Sequence, residues 1–263
     1  MEAIYSSGYQ LKLAISLPDD RGVTKSGRVY IDDLCQRHGT PLLKVRHIDD
    51  QAAVDAIKEH GLDWLFIIGW SQIAGRAILQ APSAGVLGMH PTLLPMGRGR
   101  AAIPWAILKQ LPETGVTLFQ LSEGVDTGPI LAQRKISLHK GADANWLYER
   151  VVAAHADLIR EVVPQLTSGE LFPVPQDESK ATFWPGRTPE DGRMDLSGSA
   201  FDAERLVRAV TRPYPGAFID IEGRRLTVWK AEVCGSNCSG FCLRFQDGWL
   251  RCIDYTWSPL DII

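Results

Sequence analysis

The sequence predicts an α/β fold: a Rossmann-like, mostly parallel sheet followed by a small β-rich, OB-like module. Three observations carry that expectation. Strand-like segments alternate with helical segments of about ten residues through the first third of the chain, the pattern of a parallel sheet built from βαβ units. The run WLFII (64–68) is apolar without alternation, which suits a strand covered on both faces. Beyond residue 190 helical spacing gives way to closely spaced strand-like runs, the mark of a compact β module.

Taken in order, the chain opens on helix-like residues, MEAIYSSGYQ. LKLAISL (11–17) reads as a strand and PDDRG (18–22) as a turn, and Gly27–His38 has helical spacing with Gly39 as its stop. LLKVR (42–46) is the next strand. Asp49 and Asp50 are candidate caps for a helix running to His60 and ended by Gly61. After the strand at 64–68 a helix is expected over Ser71–Gln80, then a short strand Gly85–Met89. Ala101–Gln110 looks helical, with Pro104 in the first turn, where a missing N–H is tolerated. TGVTLFQL (114–121) and PILAQRKISL (129–138) read as strands. Asn145–Leu166 is the clearest helix, with Trp146, Leu147, Val151, Ala154, Leu158, Val162 and Leu166 in one apolar stripe. Gly169–Pro189, rich in proline and polar residues, reads as a linker crossing the surface. A short helix (Asp202–Val210) then precedes strands at Ala217–Ile221, Arg225–Val233, Cys242–Phe245 and Trp249–Ile253. The expected division is an α/β domain over 1–175, a linker over 176–189 and a β-rich module over 190–263.

The 263 residues, 45% hydrophobic and 22% charged, suffice for a large core. With 28 basic against 31 acidic side chains the net charge is −3, which argues against a broad basic surface gripping nucleic acid. The longest apolar stretch, Leu62–Trp70, is broken by Asp63 and too short to cross a bilayer. The first residues lack the basic-then-apolar layout of a secretory signal, so a cytoplasmic location is expected. Five cysteines, an odd number at low density, fit reduced thiols.

The chemistry concentrates in GMHPTLLPMGRGR (88–100), which follows a buried strand and leads into a helix. In parallel α/β folds ligands bind beyond the carboxyl ends of the strands, so His90 starts a loop where chemistry is expected. Pro91 and Pro95 stiffen that loop, and Gly88, Gly97 and Gly99 allow close backbone approach. Arg98 and Arg100 add permanent positive charge suited to phosphate or carboxylate. A second piece, EGVDTGPI (123–130), places Asp126 between two strands, 36 residues after His90.

These motifs together carry a resemblance. HPTLLPMGRG (90–99), then TGVT (114–117), then GVDTGPI (124–130) resemble the folate-dependent formyltransferases. That family includes methionyl-tRNA formyltransferase, glycinamide ribonucleotide transformylase and the sugar N-formyltransferases. FWPGRTPEDGRMDL (183–196) and RAVTRPYPGAF (208–218) are similar to the formyltransferase part of the enzyme that modifies UDP-4-amino-4-deoxy-L-arabinose. The resemblance implies transfer of a formyl group from 10-formyltetrahydrofolate, the co-substrate, to an amine, with no metal. It implies His90 as proton shuttle, suited by an ordinary pKa near physiological pH, and Asp126 as the group that orients the imidazole. The family's third residue, an asparagine two positions before the histidine, is Gly88 here. Loss of one oxyanion donor typically costs about 10²–10³ in rate. The backbone N–H of Gly88, His90 itself, a water, Gln72 or Thr92 is the expected substitute. The resemblance also implies a folate site along Leu93, Leu94, Pro95 and Trp70, and Arg98, Arg100 and Trp105 are chosen for the acceptor. It further implies a strand ahead of LKLAISL that this sequence lacks. The two neighbours of that strand would then face each other with unpaired N–H and C=O groups.

Two other motifs are set aside. GRGRAA (97–102) matches Gly-x-Gly-x-x-Ala, but a dinucleotide fingerprint comes directly off a strand and here a loop intervenes. Cys234, Cys238 and Cys242 recur every four residues, unlike the usual metal knuckles, and GSNCSG reads as a hairpin turn. The expected acceptor is the amine of a nucleotide-linked amino sugar. Alternatives are methionyl-tRNA, another small amine, or a non-catalytic binder of folate or nucleotide sugar. A small-molecule partner is expected, nucleic acid and membrane are not, and a homodimer is left open.

Overall fold

The computed structural model describes residues 1–22, 29–70 and 72–260. The first part of the chain forms α1 (Glu2–Ser6), β1 (Ala14–Ser16), α2 (Asp19–Gly22), α3 (Asp32–His38), β2 (Leu42–Lys44), α4 (Gln51–Glu59), β3 (Trp64–Ile67), α5 (Arg76–Leu79) and β4 (Gly85–His90). Next come β5 (Arg98–Gly99), α6 (Ala102–Leu108), β6 (Glu113–Gln120), β7 (Ile130–Ser137), α7 (Ala144–Ser168) and β8 (Phe183–Trp184). The chain continues through α8 (Ala200–Val210), β9 (Ala217–Ile221), β10 (Arg224–Cys234), β11 (Cys242–Arg244) and β12 (Trp249–Pro259).

The expected alternation of strand and helix is present, with local differences. Residues 19–22 make a helical turn where a plain turn was expected. Of the helix expected over 27–38, positions 27 and 28 lie outside the described residues, and α3 begins at Asp32. The helix expected over 71–80 shrinks to α5, and Ser71 lies outside the described residues. Side-chain bonds explain the shortening. The Gln72 amide oxygen accepts from Ile48 N and Trp70 Nε1, both at 2.9 Å, and Asp49 Oδ1 accepts from Gly75 N at 2.7 Å. These local partners satisfy backbone and ring donors outside a helix.

One sheet has the order β3-β4-β6-β7, with β3–β4 parallel and β4–β6 antiparallel. β1 and β2 form a separate parallel pair. Within these sheets β1 and β3 each have one strand neighbour. Their apolar side chains still reach one cluster: Ile15, Leu43, Leu65 and Ile67 pack on Val54, Ile57 and Ile78 of α4 and α5. The run expected to be covered on both faces is therefore only half-buried at every position of β3, because β3 is a sheet edge. The dry centre lies one strand further in, at Val86, Leu87, Val116, Leu118 and Phe119, all buried on β4 and β6. The C-terminal sheet is antiparallel, β11-β12-β10-β9. Ala217, Leu226, Val228 and Leu250 are fully buried in it.

The chain forms two compact units that interleave in sequence. One contains residues 1–98, 115–135 and 151–183; the other contains 99–114, 136–150 and 184–263. The expected linker at 176–189 is thus shared between them. In the second unit α6 packs on α8, which lies on β10, and Arg208 Nη1 donates to Ala142 O at 2.8 Å.

Candidate active site

β4 carries His90 to its C-terminal end, opposite Thr117 of β6. The imidazole lies between two acceptors. Nε2 is 2.8 Å from Gly97 O, and Nδ1 is 3.6 Å from Asp126 Oδ2. The second distance is a charge contact rather than a formed hydrogen bond. A neutral ring has one N–H to offer and the cation two, so only the charged ring answers both acceptors. The side chains of His90 and Asp126 are 11% and 17% exposed, shielded but reachable. Both residues belong to the first unit.

The loop after His90 is pinned from below by β6 and β7. Thr117 Oγ1, fully buried, donates to Thr92 O (2.7 Å) and accepts from Leu94 N (3.0 Å) and Gln133 Nε2 (2.8 Å). Gln133 Nε2 also donates to Leu94 O at 2.9 Å. The Leu94–Pro95 peptide is cis. From the other side Thr182 Oγ1 accepts from Gly97 N (2.8 Å), Thr182 N donates to Pro95 O (3.2 Å) and Arg98 N donates to Thr182 O (2.9 Å). The Gly97 carbonyl that faces His90 is therefore fixed by residue 182, within the stretch read from sequence as a surface linker.

Asp126 sits in the β6–β7 connection at φ 54°, a left-handed conformation that Asp adopts more readily than most residues but still at a cost. Gln176 Nε2 donates to Asp126 O (2.8 Å) and Gly128 O (2.7 Å). Sequence reasoning missed Gln176, Thr182 and Gln133 as supports. No local signal marks them, since Gln176 lies 50 residues from Asp126.

The other sequence-selected positions divide. Gly88 lies within the sheet, paired with Ile67 on one side and Phe119 on the other. A Cβ there would stand 2.6 Å from Leu121 Cδ2 and 3.3 Å from Phe119 Cε1. The space an asparagine side chain would need is thus filled by Leu121. Gln72 spends its amide on Ile48, Trp70 and the Arg46 carbonyl, so it braces a turn. Thr92 is 1% exposed, with its hydroxyl sealed from solvent and without a hydrogen-bond partner. Trp70 packs against the α4–α5 cluster. Leu94 is buried and Leu93 half-buried, and the Leu93, Leu94 and Pro95 carbonyls accept from Met96 N, Gln133 Nε2 and Thr182 N.

Arg98 corrects the expectation of an acceptor-binding cation. It is 1% exposed and spends its guanidinium on Glu178 and Gln176. A buried cation needs such partners, and the Glu178 bond holds Arg98 above its ordinary pKa and Glu178 below. Arg100 is exposed and belongs to the second unit. Trp105, also there, donates from Nε1 to Pro185 O at 2.9 Å, and Arg187 and Lys109 lie over its ring. On α7, burial holds His155 below its ordinary pKa, and the nearby charge of His90 adds to the effect.

The segments following β3, β4 and β6 expose large apolar side chains: Ile68, Ile73, Met96 and Val125. Exposed apolar groups on segments that follow strand ends suit a flat, largely apolar ligand. Gly99 explains the rejected dinucleotide motif. Its φ is 107° and a Cβ would meet Trp184 O at 2.3 Å, so glycine serves a close strand contact. The reduced-thiol expectation is corrected by a Cys234–Cys238 disulfide. The connection between β10 and β11 is a loop rather than the expected hairpin, since both strands pair with β12 and not with each other, and it brings the Cys234 and Cys238 Cα atoms to 5.9 Å, within bonding range. Cys242 Sγ lies within 4.8 Å of both sulfurs, and Cys35, Cys242 and Cys252 are free thiols. Among the described residues no helix is long and apolar enough to cross a membrane.

Comparison with known proteins agrees with the fold. Residues 17–163 match the formyl transferase domain family, and residues 187–251 match the formyl transferase C-terminal domain. A methionyl-tRNA formyltransferase of Lachnospira eligens is 31% identical over 236 residues, covering 89% of this chain and 74% of the relative. The structure of a methionyl-tRNA formyltransferase from Clostridium thermocellum superposes with a TM-score of 0.66 at 18% identity, over 95% of this chain and all of that one. A sugar N-formyltransferase from a Shewanella species gives 0.67 at 19% identity, over 86% of each chain. With its motifs, its fold and a domain match over more than half its length in accord, the chain belongs to the folate-dependent formyltransferase family.

Proposed function

We propose that this formyltransferase works through His90 and Asp126 and formylates the amine of a nucleotide-linked amino sugar. The carrying observation is the His90–Asp126 contact at 3.6 Å, nearly buried, at the end of β4. In this reading the acceptor nitrogen attacks the formyl carbon of 10-formyltetrahydrofolate and forms a C–N bond. The carbonyl π electrons move to oxygen. As the tetrahedral species collapses, the bond from carbon to N10 breaks and N10 takes a proton. The products are the formamide and tetrahydrofolate. His90 accepts the proton of the attacking amine and returns it to N10, and Asp126 stabilises the imidazolium in between. Once the ring of His90 holds the amine's proton it has a second N–H, and that N–H donates to the oxyanion before the proton passes to N10. Gln72 is spent on a turn and Thr92 is 1% exposed, whereas the His90 side chain is 11% exposed. The exposed Ile68, Ile73, Met96 and Val125 fit the flat ring of the folate.

The choice of a small acceptor is supported by charge. In the C-terminal module Arg193, Arg205, Arg208, Arg212, Arg225 and Arg251 each meet a carboxylate. Arg224 and Arg244 lie over the rings of Trp257 and Trp249. Cations so engaged leave little free positive field for a polyanion. A second reading, formylation of methionyl-tRNA, is favoured by the 31% identity to the Lachnospira eligens enzyme. A formyl-transfer assay with 10-formyltetrahydrofolate separates them. Transfer to UDP-4-amino-4-deoxy-L-arabinose or to another member of a panel of nucleotide-linked amino sugars is expected. Transfer to charged initiator tRNA and to none of the sugars would replace the first reading with the second.

A further inference from the structure

We propose that Arg98 and Gln176 are positioning residues for formyl transfer: together they hold the backbone of the Asp126 turn so that its carboxylate stays against His90. The proposal rests on the assignment of His90 and Asp126 made above. Arg98 is 1% exposed, so its guanidinium is not offered to solvent as a binding cation. Its Nε and Nη2 donate to Gln176 Oε1 at 3.1 and 2.8 Å, and Nη1 and Nη2 donate to the Glu178 carboxylate at 2.8 and 2.7 Å. A guanidinium can only donate, so the oxygen of the Gln176 amide must face Arg98. The NH2 group then points the other way, and there it meets two groups that can only accept, Asp126 O and Gly128 O at 2.8 and 2.7 Å. The amide orientation is therefore dictated at both ends. The first of those carbonyls belongs to Asp126 itself, which the chain holds at φ 54°. A residue in that region keeps its conformation only when neighbours enforce it, and Gln176 is the neighbour that grips the turn on both sides of residue 127. Arg98 itself follows the Gly97 carbonyl that His90 faces. One buried side chain thus ties the acceptor on each side of the imidazole to the same short segment, 176–182.

Gln176→Glu tests this directly, because it keeps an oxygen for Arg98 and removes both donors to the turn. In the folded variant kcat is expected to fall about 10–100-fold, the scale of a displacement on the order of 1 Å. KM for 10-formyltetrahydrofolate is expected to stay within about threefold, since the apolar ring contacts are untouched. The acceptor is UDP-4-amino-4-deoxy-L-arabinose or charged initiator tRNA, whichever the assay above shows to be formylated. An acceptor-independent readout is the ¹⁵N spectrum of the His90 ring, which should shift in the same direction as in Asp126→Asn. Arg98→Lys keeps the buried charge, loses the fork, and should show the same split between kcat and KM. It decides the matter if Gln176→Glu does not fold. Unchanged kcat together with unchanged His90 resonances, in a folded variant, overturns the positioning role. Unimpaired kcat in Asp126→Asn overturns the underlying acid–base assignment instead.

Discussion

At the scale of single residues, the departure at Gly88 is a packing event as much as a chemical one. Leu121 stands in the volume that a side chain at 88 would require. Gly88→Asn alone is therefore expected to lower stability by about 1–3 kcal/mol through overpacking, visible as a drop in Tm, with no gain in rate. Gly88→Asn combined with Leu121→Ala restores the room. With His90 acting as its own oxyanion donor, kcat of the double variant should change by less than about tenfold. A rise of about 10²-fold would show that the donor had simply been missing. His90→Asn removes the proposed shuttle and should reduce kcat by about 10²–10⁴-fold, while circular dichroism and Tm stay near the parent values. A smaller loss in steady-state assays would move the acid–base role elsewhere.

At the scale of elements, the His90–Asp126 contact is set by what surrounds two loops. β4 delivers His90, Thr117 on β6 and Gln133 on β7 pin the loop after it, and Thr182 closes it from the far side. The loop itself was legible, because His90, the prolines and the glycines lie within one short stretch of sequence. The supports were not, because each is one polar residue in an unremarkable setting, reached only when the chain returns. Arg98 shows the same limit. An arginine in a glycine-rich loop reads as a ligand for an anion, and only its burial and its carboxylate partner reveal a structural cation. Helix termini behave more locally. Ser199 caps α8, accepting from Phe201 N at 3.2 Å and donating to Asp247 at 2.7 Å. Ser199→Ala should cost about 1 kcal/mol, measured by denaturant melting, without changing kcat, because α8 belongs to the C-terminal module.

At the scale of the whole molecule, stability should fall in alkali, and the sign follows from a buried thiol and a half-buried phenol. Burial pushes the Cys252 thiol up to about 12, with Cys242 adding to the effect. Burial likewise pushes the Tyr214 hydroxyl up to about 12, with Tyr148 adding. The unfolded chain releases these protons near the ordinary values of 9.0 and 10.0. Between those values and about 12 the folded state holds more protons than the unfolded one, so unfolding becomes easier as pH rises. Melts from pH 8 to 11 should show a falling Tm, less steep above pH 10 in Tyr214→Phe; a flat profile would contradict the burial of both groups. The sequence by itself determined the α/β character, the β-rich C-terminal module, the family and the His90–Asp126 pair, because local periodicity and short motifs encode them. Only the tertiary structure decided that the WLFI strand lies at a sheet edge, that Leu121 fills the space beside Gly88, and that Arg98 faces inward. Each of these depends on which distant side chain fills a given volume or satisfies a given hydrogen bond, and those partners meet only once the chain has folded.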